Sequence, residues 1–254
     1  MRNERWTVDQ MPRQEGRVAV VTGANSGLGF NTAKALALKG AKVIMACRNL
    51  EKGKLASSKI MDEGAVEEPE VWQLDLASLE SVQQFAEKIS LSVDRLDLLI
   101  NNAGLMAIPY ARTEDGFEMQ FGVNHLGHFA LTARLWSLIS NTEGSRVVQV
   151  SSLAHLWGTI RKEDIHWEQG YNKWGAYGMS KLANLLFIHE LSVRLSNEDQ
   201  TVIAAAVHPG YANTELQAKG SRMKGSRLGA ESFSLANQLV AQSAAMGALP
   251  SLYA

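Results

Sequence analysis

The chain has 254 residues, 46% of them hydrophobic, and carries 25 basic and 26 acidic side chains for a formal net charge of −1. Such a chain can bury a full core, and its charge balance gives DNA, RNA or an anionic membrane no electrostatic advantage as principal partner. A single cysteine, Cys47, excludes an internal disulfide and suits a reducing compartment.

The first 16 residues, "MRNERWTVDQMPRQEG", are a polar lead-in without the apolar stretch of a signal peptide, and Trp6 is its candidate surface anchor. "RVAVVTG" (17–23) reads as a buried strand ending in a turn, and "LGFNTAKALALKG" (28–40) has helical spacing closed by Gly40. "AKVIMAC" (41–47) is the second strand, with Cys47 a small core hydrophobe rather than a nucleophile. "NLEKGKLASSKIMDEG" (49–64) is a helix, "EVWQLDL" (70–76) the third strand, and "SLESVQQFAEKISLSV" (78–93) a helix capped by Ser78. "LDLLINNAG" (96–104) is strand four, 113–140 one long helix, "SRVVQVSS" (145–152) strand five, 175–196 a helix and "TVIAAAVHPG" (201–210) strand six. No run approaches the roughly 18 apolar residues of a bilayer-crossing helix.

Strands that are nearly all apolar, alternating with helices, predict a mainly parallel sheet covered on both faces. The expected architecture is a single doubly wound Rossmann-type α/β domain over 17–254. Ligands of such sheets bind beyond the carboxyl ends of the strands, which directs attention to "TGANSGLG", "CRN", "DLAS", "NNAG", "VSS" and "HPG".

"TGANSGLG" sets Gly23, Gly27 and Gly29 between the first strand and the first helix. Glycines permit a sharp turn and close approach of a ligand. The helix that follows offers free N–H groups and partial positive charge to a pyrophosphate. The spacing is GxxxGxG, not the GxGxxG of the better-known fingerprint. At the end of strand two no acid is placed to accept from a ribose 2′-hydroxyl. Arg48 stands there instead, with Lys52 one turn on, and a guanidinium can fork onto a 2′-phosphate. NADP (NADPH) is therefore expected over NAD.

Tyr177 and Lys181 lie four apart in "AYGMSKLANLL" and share one helix face. Taken in order, "TGANSGLG", "DL" at 75–76, "NNAG" at 101–104, Asn124 in "GVNHLGHF", "VSS" at 150–152, "YGMSK" at 177–181 and "HPGYANT" at 208–214 resemble the short-chain dehydrogenase/reductase family from about residue 17 to 254. Within it, "ACRN", "VNHLGHF", "SSLAH" and "SKLAN" resemble the retinol-dehydrogenase-like branch.

The resemblance implies an NADP-dependent oxidoreductase acting on CH–OH or C=O groups, a carbonyl reductase or alcohol dehydrogenase. Tyr177 is then the general acid/base, its phenol expected to be lowered from a pKa near 10 by the Lys181 cation. Ser152, rather than Ser151, polarises the substrate oxygen, and Asn124 holds a water that relays protons behind Lys181. Lys181 and Tyr177 also meet the nicotinamide ribose. Asn25, Ser26 and Leu28 join the glycine turn in holding the cofactor, and Asp75 with Leu76 meets the adenine. Asn101, Ala103 and Gly104 line it, Pro209 and Gly210 shape the nicotinamide pocket, and Thr214 bonds the carboxamide or phosphates.

Leu105, Met106, Leu153, Trp157, Trp174 and Tyr211 are candidate pocket walls, which points to a hydrophobic ketone, aldehyde or alcohol. The stretch 211–235 reads as a lid. His125 and His128 read as packed or solvent-facing and not as zinc ligands, since no third ligand is in view. His155 and His166 lie near the mouth of the site. By resemblance, the C-terminal end is expected to be truncated at "GALPSLYA", a cytoplasmic protein with no membrane span is expected, and a homodimer or homotetramer is compatible. Competing readings are a non-catalytic NADP-binding redox sensor, disfavoured because both Tyr177 and Lys181 stand, and a light-driven protochlorophyllide-type reductase, disfavoured by the position of Cys47.

Overall fold

The computed structural model describes residues 6–198, 201–210 and 243–254. Six strands form one parallel sheet: β1 (Val18–Thr22), β2 (Lys42–Cys47), β3 (Glu70–Gln73), β4 (Leu98–Asn101), β5 (Arg146–Val150) and β6 (Ile203–Val207). Their spatial order is β3-β2-β1-β4-β5-β6, so the chain reverses direction across the sheet between β1 and β4. At such a switch point the strand ends splay into a crevice. Val20 stands level with Ile44 on one side and Leu99 on the other.

Alternate residues of these strands feed two cores. Val18, Val20, Ile44, Leu99 and Val147 pack on one face, and Ala19, Val21, Val43, Ile100 and Val148 on the other. Both faces are covered, and that is why the strands read as unbroken apolar runs. The helices on these faces include α1 (Gly27–Leu38), α2 (Leu50–Asp62) and α3 (Leu79–Ser92). Asn49 accepts from the Lys52 N–H to cap α2, and Ser78 accepts from the Ser81 N–H to cap α3, as its position predicts. Lys173–Asn197 form the longest helix among the described residues, called α7 below, and α8 (Ala244–Tyr253) packs against α1. Among the described residues no helix is long and apolar enough to cross a membrane.

The lead-in is held down from Trp6 onward. Trp6 packs edge-on against Tyr253 with ring centroids 5.6 Å apart, Met11 is buried, and the Gln14 N–H donates to the Lys39 carbonyl.

The expected single helix over 113–140 is a misreading. Thr113–Phe117 form a turn: the Phe117 N–H donates to Thr113 Oγ1, and Gly116 takes φ 85°, open to glycine at no steric penalty. Helix begins only with α4 (Met119–Phe121), capped by Glu118. It widens into a π-turn over Gly122–Leu126, resumes as α5 (Gly127–Arg134) and ends as α6 (Trp136–Ser140). Strand three is also shorter than the apolar run suggests. It stops at Gln73, because the Asp75 carboxylate accepts from the Ala77 N–H and folds the chain into the cap of α3.

Candidate active site

The carboxyl ends of β1, β2, β4, β5 and β6 bring most of the expected residues to one side of the sheet. At β1, Gly23 and Gly27 have φ of 65° and 58°, and the turn is compressed against the loop after β4. A Cβ on Gly29 would fall 2.5 Å from both the Gly23 carbonyl oxygen and Asn102 Nδ2, and one on Gly23 would fall 3.0 Å from the Ala103 Cβ. Ser26 is the N-cap of α1 but its hydroxyl caps nothing, so the first N–H groups of the 12-residue helix remain available to an anion. Asn25, Ser26 and Leu28 are half-buried around it. A pyrophosphate-bearing nucleotide fits this cradle.

Thr22 organises the neighbouring loop, a role that the sequence did not reveal. Its Oγ1 accepts from the N–H groups of Asn102 and Ala103, both at 2.9 Å, while its carbonyl accepts from Asn102 Nδ2. With both lone pairs used, its single proton is left to donate, and His128 Nε2 lies 2.9 Å away. His128 is then the Nδ1–H tautomer and donates to the Asn124 carbonyl at 3.1 Å. Complete burial pushes its pKa down to about 3, so the ring is neutral. His125, by contrast, is half-buried and faces Asn184 Oδ1 at 3.2 Å. Asn101 points away from the crevice: its Nδ2 donates to Thr132 Oγ1.

At β2, Arg48 and Lys52 are exposed, and neither forms an ion pair among the described residues. Cys47 is buried beneath the glycine turn, where burial pushes its thiol up to about 11 despite backbone N–H groups of Ala24 and Asn25. At β3 the Asp75 side chain is half-buried and turned to its local cap, and Leu76 packs in the core with its carbonyl against Gly127.

Asn124 is fully buried in the π-turn. Its Oδ1 accepts from the Leu105 N–H at 2.7 Å, and its Nδ2 donates to the Leu105 carbonyl and to Ser180 Oγ, both at 2.9 Å. The Ser180 hydroxyl in turn donates to the Tyr177 carbonyl. The side chain expected to hold a water thus ties the loop after β4 to the helix of Tyr177.

The two serines after β5 divide cleanly. Ser151 is buried and donates to the Lys181 carbonyl at 2.8 Å, whereas the Ser152 hydroxyl caps the 3-10 turn Leu153–Trp157 by accepting from the Ala154 N–H, near enough to the Tyr177 phenol to lower its pKa. Two glycines permit this closeness. A Cβ on Gly178 would fall 2.9 Å from the Ala154 carbonyl oxygen, and one on Gly158 would collide with the Gly178 carbonyl. The Asn172 side chain starts α7 by accepting from the N–H groups of Trp174 and Gly175.

Tyr177 and Lys181 are both buried on α7. Lys181 Nζ donates to the Val150 carbonyl at 3.0 Å and has no carboxylate partner among the described residues. Complete burial lowers its pKa to about 8. A Cβ on residue 104 would fall 3.6 Å from that ammonium, so Gly104 keeps its flank open. The expected lowering of the phenol is not what the protein atoms give. Burial raises the Tyr177 pKa, the Ser152 hydroxyl offsets part of this, and the ammonium, 5.9 Å from the ring centroid, does not reverse it.

Pro209 is half-buried and Gly210 exposed beyond β6, where the Gly210 N–H donates to His208 Nδ1. Leu105 and Met106 are half-buried, and Leu153, Trp157 and Trp174 are exposed around the Ser152–Tyr177 pair. Near them, His155 Nδ1 faces the Ser152 carbonyl at 2.6 Å, and His166 stacks on Phe117. Tyr211, Thr214 and the expected lid at 211–235 lie outside the described residues.

The sequence matches the short chain dehydrogenase family over residues 17–225. It is 45% identical to human retinol dehydrogenase 13 over 239 residues, spanning 94% of this chain and 71% of that protein. Against human retinol dehydrogenase 11 it is 46% identical over 209 residues, 82% of this chain and 65% of that one. The chain thus covers about two thirds of the length of these relatives. Among solved structures, an uncharacterised protein from Mycobacterium paratuberculosis superposes with a TM-score of 0.78 at 44% identity, over 98% of this chain and 79% of its own. A protein assigned as a short chain dehydrogenase from Shigella flexneri, solved with NADP, superposes with a TM-score of 0.67 at 28% identity, over 83% and 84%. The chain belongs to the short chain dehydrogenase family, in its retinol-dehydrogenase-like branch.

Proposed function

We propose that this chain is an NADP(H)-dependent oxidoreductase for a hydrophobic carbonyl or alcohol, with Tyr177 as general acid/base and residues 17–254 acting as one domain. The observation that carries the reading is the buried Tyr177 one helical turn before the fully buried ammonium of Lys181, which reaches the Val150 carbonyl at the end of β5, with Gly104 against its flank and Ser152 near enough to the phenol to lower its pKa. A bound nicotinamide would supply or accept the hydride. When a carbonyl is reduced, Ser152 donates a hydrogen bond to the oxygen as negative charge builds there, and Tyr177 hands that oxygen its proton. Lys181 holds a positive charge behind the phenol and so stabilises the phenolate left after transfer. Asn124, through Leu105 and Ser180, keeps the cofactor-lining loop and α7 in register. The free N–H groups of α1 meet the pyrophosphate, and the exposed Arg48 is positioned for a 2′-phosphate. The Shigella flexneri protein solved with NADP supports that choice of nucleotide. The names of the relatives make a long apolar aldehyde such as retinal the first substrate to try, and the single buried cysteine suits a cytoplasmic setting.

A panel of retinal, medium-chain aldehydes, ketones and alcohols, followed by the absorbance of reduced nicotinamide, tests this. Turnover with NADPH is expected, abolished in Tyr177→Phe while NADPH binding is retained. Full activity in that variant, or none in the wild type across the panel, refutes the proposal.

A further inference from the structure

Between the loop after β4 and the start of α7 lies a fully buried carboxamide, Gln120, hydrogen-bonded through both its oxygen and its nitrogen. Its Oε1 accepts from the Ala107 N–H at 2.7 Å. Its Nε2 donates to the Tyr171 hydroxyl and to the Lys173 carbonyl, both at 2.9 Å. One side chain thereby joins the loop after β4, the loop between Ser152 and Tyr177, and the first turn of α7. Ala107 is held at φ 51°, a left-handed conformation that an alanine adopts only when its surroundings impose it. The Tyr171 hydroxyl has the Ile108 carbonyl at 3.1 Å and Glu118 Oε1 at 3.2 Å, and the other oxygen of that buried carboxylate accepts from the Phe121 N–H at 2.6 Å. Outside the knot, Arg112 pairs with Glu168 at 2.7 Å and the Tyr110 and Tyr171 rings stack edge-on.

Such a knot fixes spacing rather than chemistry. Leu105 and Met106 precede Ala107 directly, and Tyr177 follows Lys173 by one helical turn. The distance between one wall of the pocket and the proton donor is therefore set through Gln120. We propose that Gln120 is a positioning residue for the carbonyl substrate, holding the strained Ala107 turn and the start of α7 so that a substrate lying on Leu105 and Met106 meets Tyr177, with Tyr171 and Glu118 as its supports. The inference rests on the oxidoreductase reading above.

Gln120→Met keeps the length of the side chain and removes all three hydrogen bonds. It is expected to raise KM for retinal about tenfold and to lower kcat, because misplacement of a reacting group by a fraction of an ångström weakens the transition state. The Kd for NADPH, read by fluorescence titration, should stay within about twofold, and the Ala107 amide should lose its protection from hydrogen exchange. Ala107→Gly removes the left-handed strain. In the Gln120→Met background it should restore Tm but not KM; a KM that recovers together with Tm marks a folding defect and overturns the proposal. If Gln120→Met does not fold, Tyr171→Phe serves in its place, with a smaller rise in KM, about threefold, at constant NADPH affinity. An unchanged KM in whichever variant folds also overturns the proposal. A wild-type chain inactive on the whole panel overturns the oxidoreductase reading and this inference together, whereas an active wild type with unaffected variants overturns this inference alone.

Discussion

The two ends of β1 and β4 both bury charge, and they treat it in opposite ways. At the amino end, Asp97 is buried among partners. Arg95 holds it at 2.9 and 2.6 Å, Arg17 lies 3.5 Å away, and the Val18 N–H donates to it at 2.9 Å. Burial pushes that carboxyl upward, yet the Arg95 hydrogen bonds, the Val18 N–H and both guanidinium charges outweigh it and hold the pKa below its ordinary value. At the carboxyl end, Lys181 is buried with a carbonyl for company, its pKa is dragged down to about 8, and Gln149 Oε1 finds no partner among the described residues. The first arrangement stabilises the sheet. The second lowers stability and is understandable only if those groups work on something else.

The contrast breaks most visibly at Lys181. Lys181→Met is expected to cut turnover about a thousandfold and yet to raise unfolding stability at pH 7 by about 2 kcal/mol, since it removes an unpaired buried charge. The lysine's folded pKa lies below its unfolded 10.5, so its penalty is full below pH 8 and disappears as pH rises toward 10.5. Chemical denaturation across that window should show wild-type stability climbing relative to the variant. A variant less stable than the wild type would erase the difference between the two ends.

Asp97→Ala should do the reverse. It removes a satisfied carboxylate and orphans the Val18 N–H, so stability falls by about 3 kcal/mol while the NADPH Kd of the folded fraction is unchanged. Next comes His128. Its folded pKa near 3 lies below the ordinary 6.5, so the unfolded chain binds a proton first as pH falls. Stability is then lost from pH 6.5 downward, by about 2 kcal/mol at pH 5 from this group. Denaturation midpoints of wild type and His128→Gln at pH 7 and pH 5 measure it, and equal pH slopes would remove the neutral-ring assignment. The smallest effect is at the exposed rim: Arg48→Asp should shift preference toward NAD by about tenfold, read as the ratio of kcat/KM for the two cofactors.

What the sequence shows and hides follows the same division. The glycine turn, the strand ends and the "YGMSK" pair were legible because each depends on local chemistry: φ freedom, strand apolarity, helical spacing. Residues 113–118 misled because apolar positions near helical spacing outweighed the turn signal of "EDG", which the Thr113 side chain completes. Thr22, His128 and Gln120 were not legible. Their meaning lies in partners 80, 106 and 13 residues away, and nothing in a threonine, histidine or glutamine announces which backbone groups it will meet. The Tyr177 expectation failed in direction for a related reason. Spacing places the cation, but burial of the phenol and the turn of the ammonium toward Val150 decide the shift.

The wide turn at Gly122–Leu126 gives the segment around it an unusual sensitivity to length. His128 and Thr132, four apart on α5, reach Thr22 and Asn101 only because an extra residue has been absorbed just upstream. Deleting one residue inside the turn would restore ordinary pitch and leave that face in place, whereas a deletion that kept the wide turn would rotate everything downstream by about 100°, presenting the sheet with Phe129 and Ala133 in their place. A one-residue deletion between the turn and Thr132 is therefore equivalent to substituting an entire face, and natural variation in length should be confined to the turn itself and to the far side of Arg134.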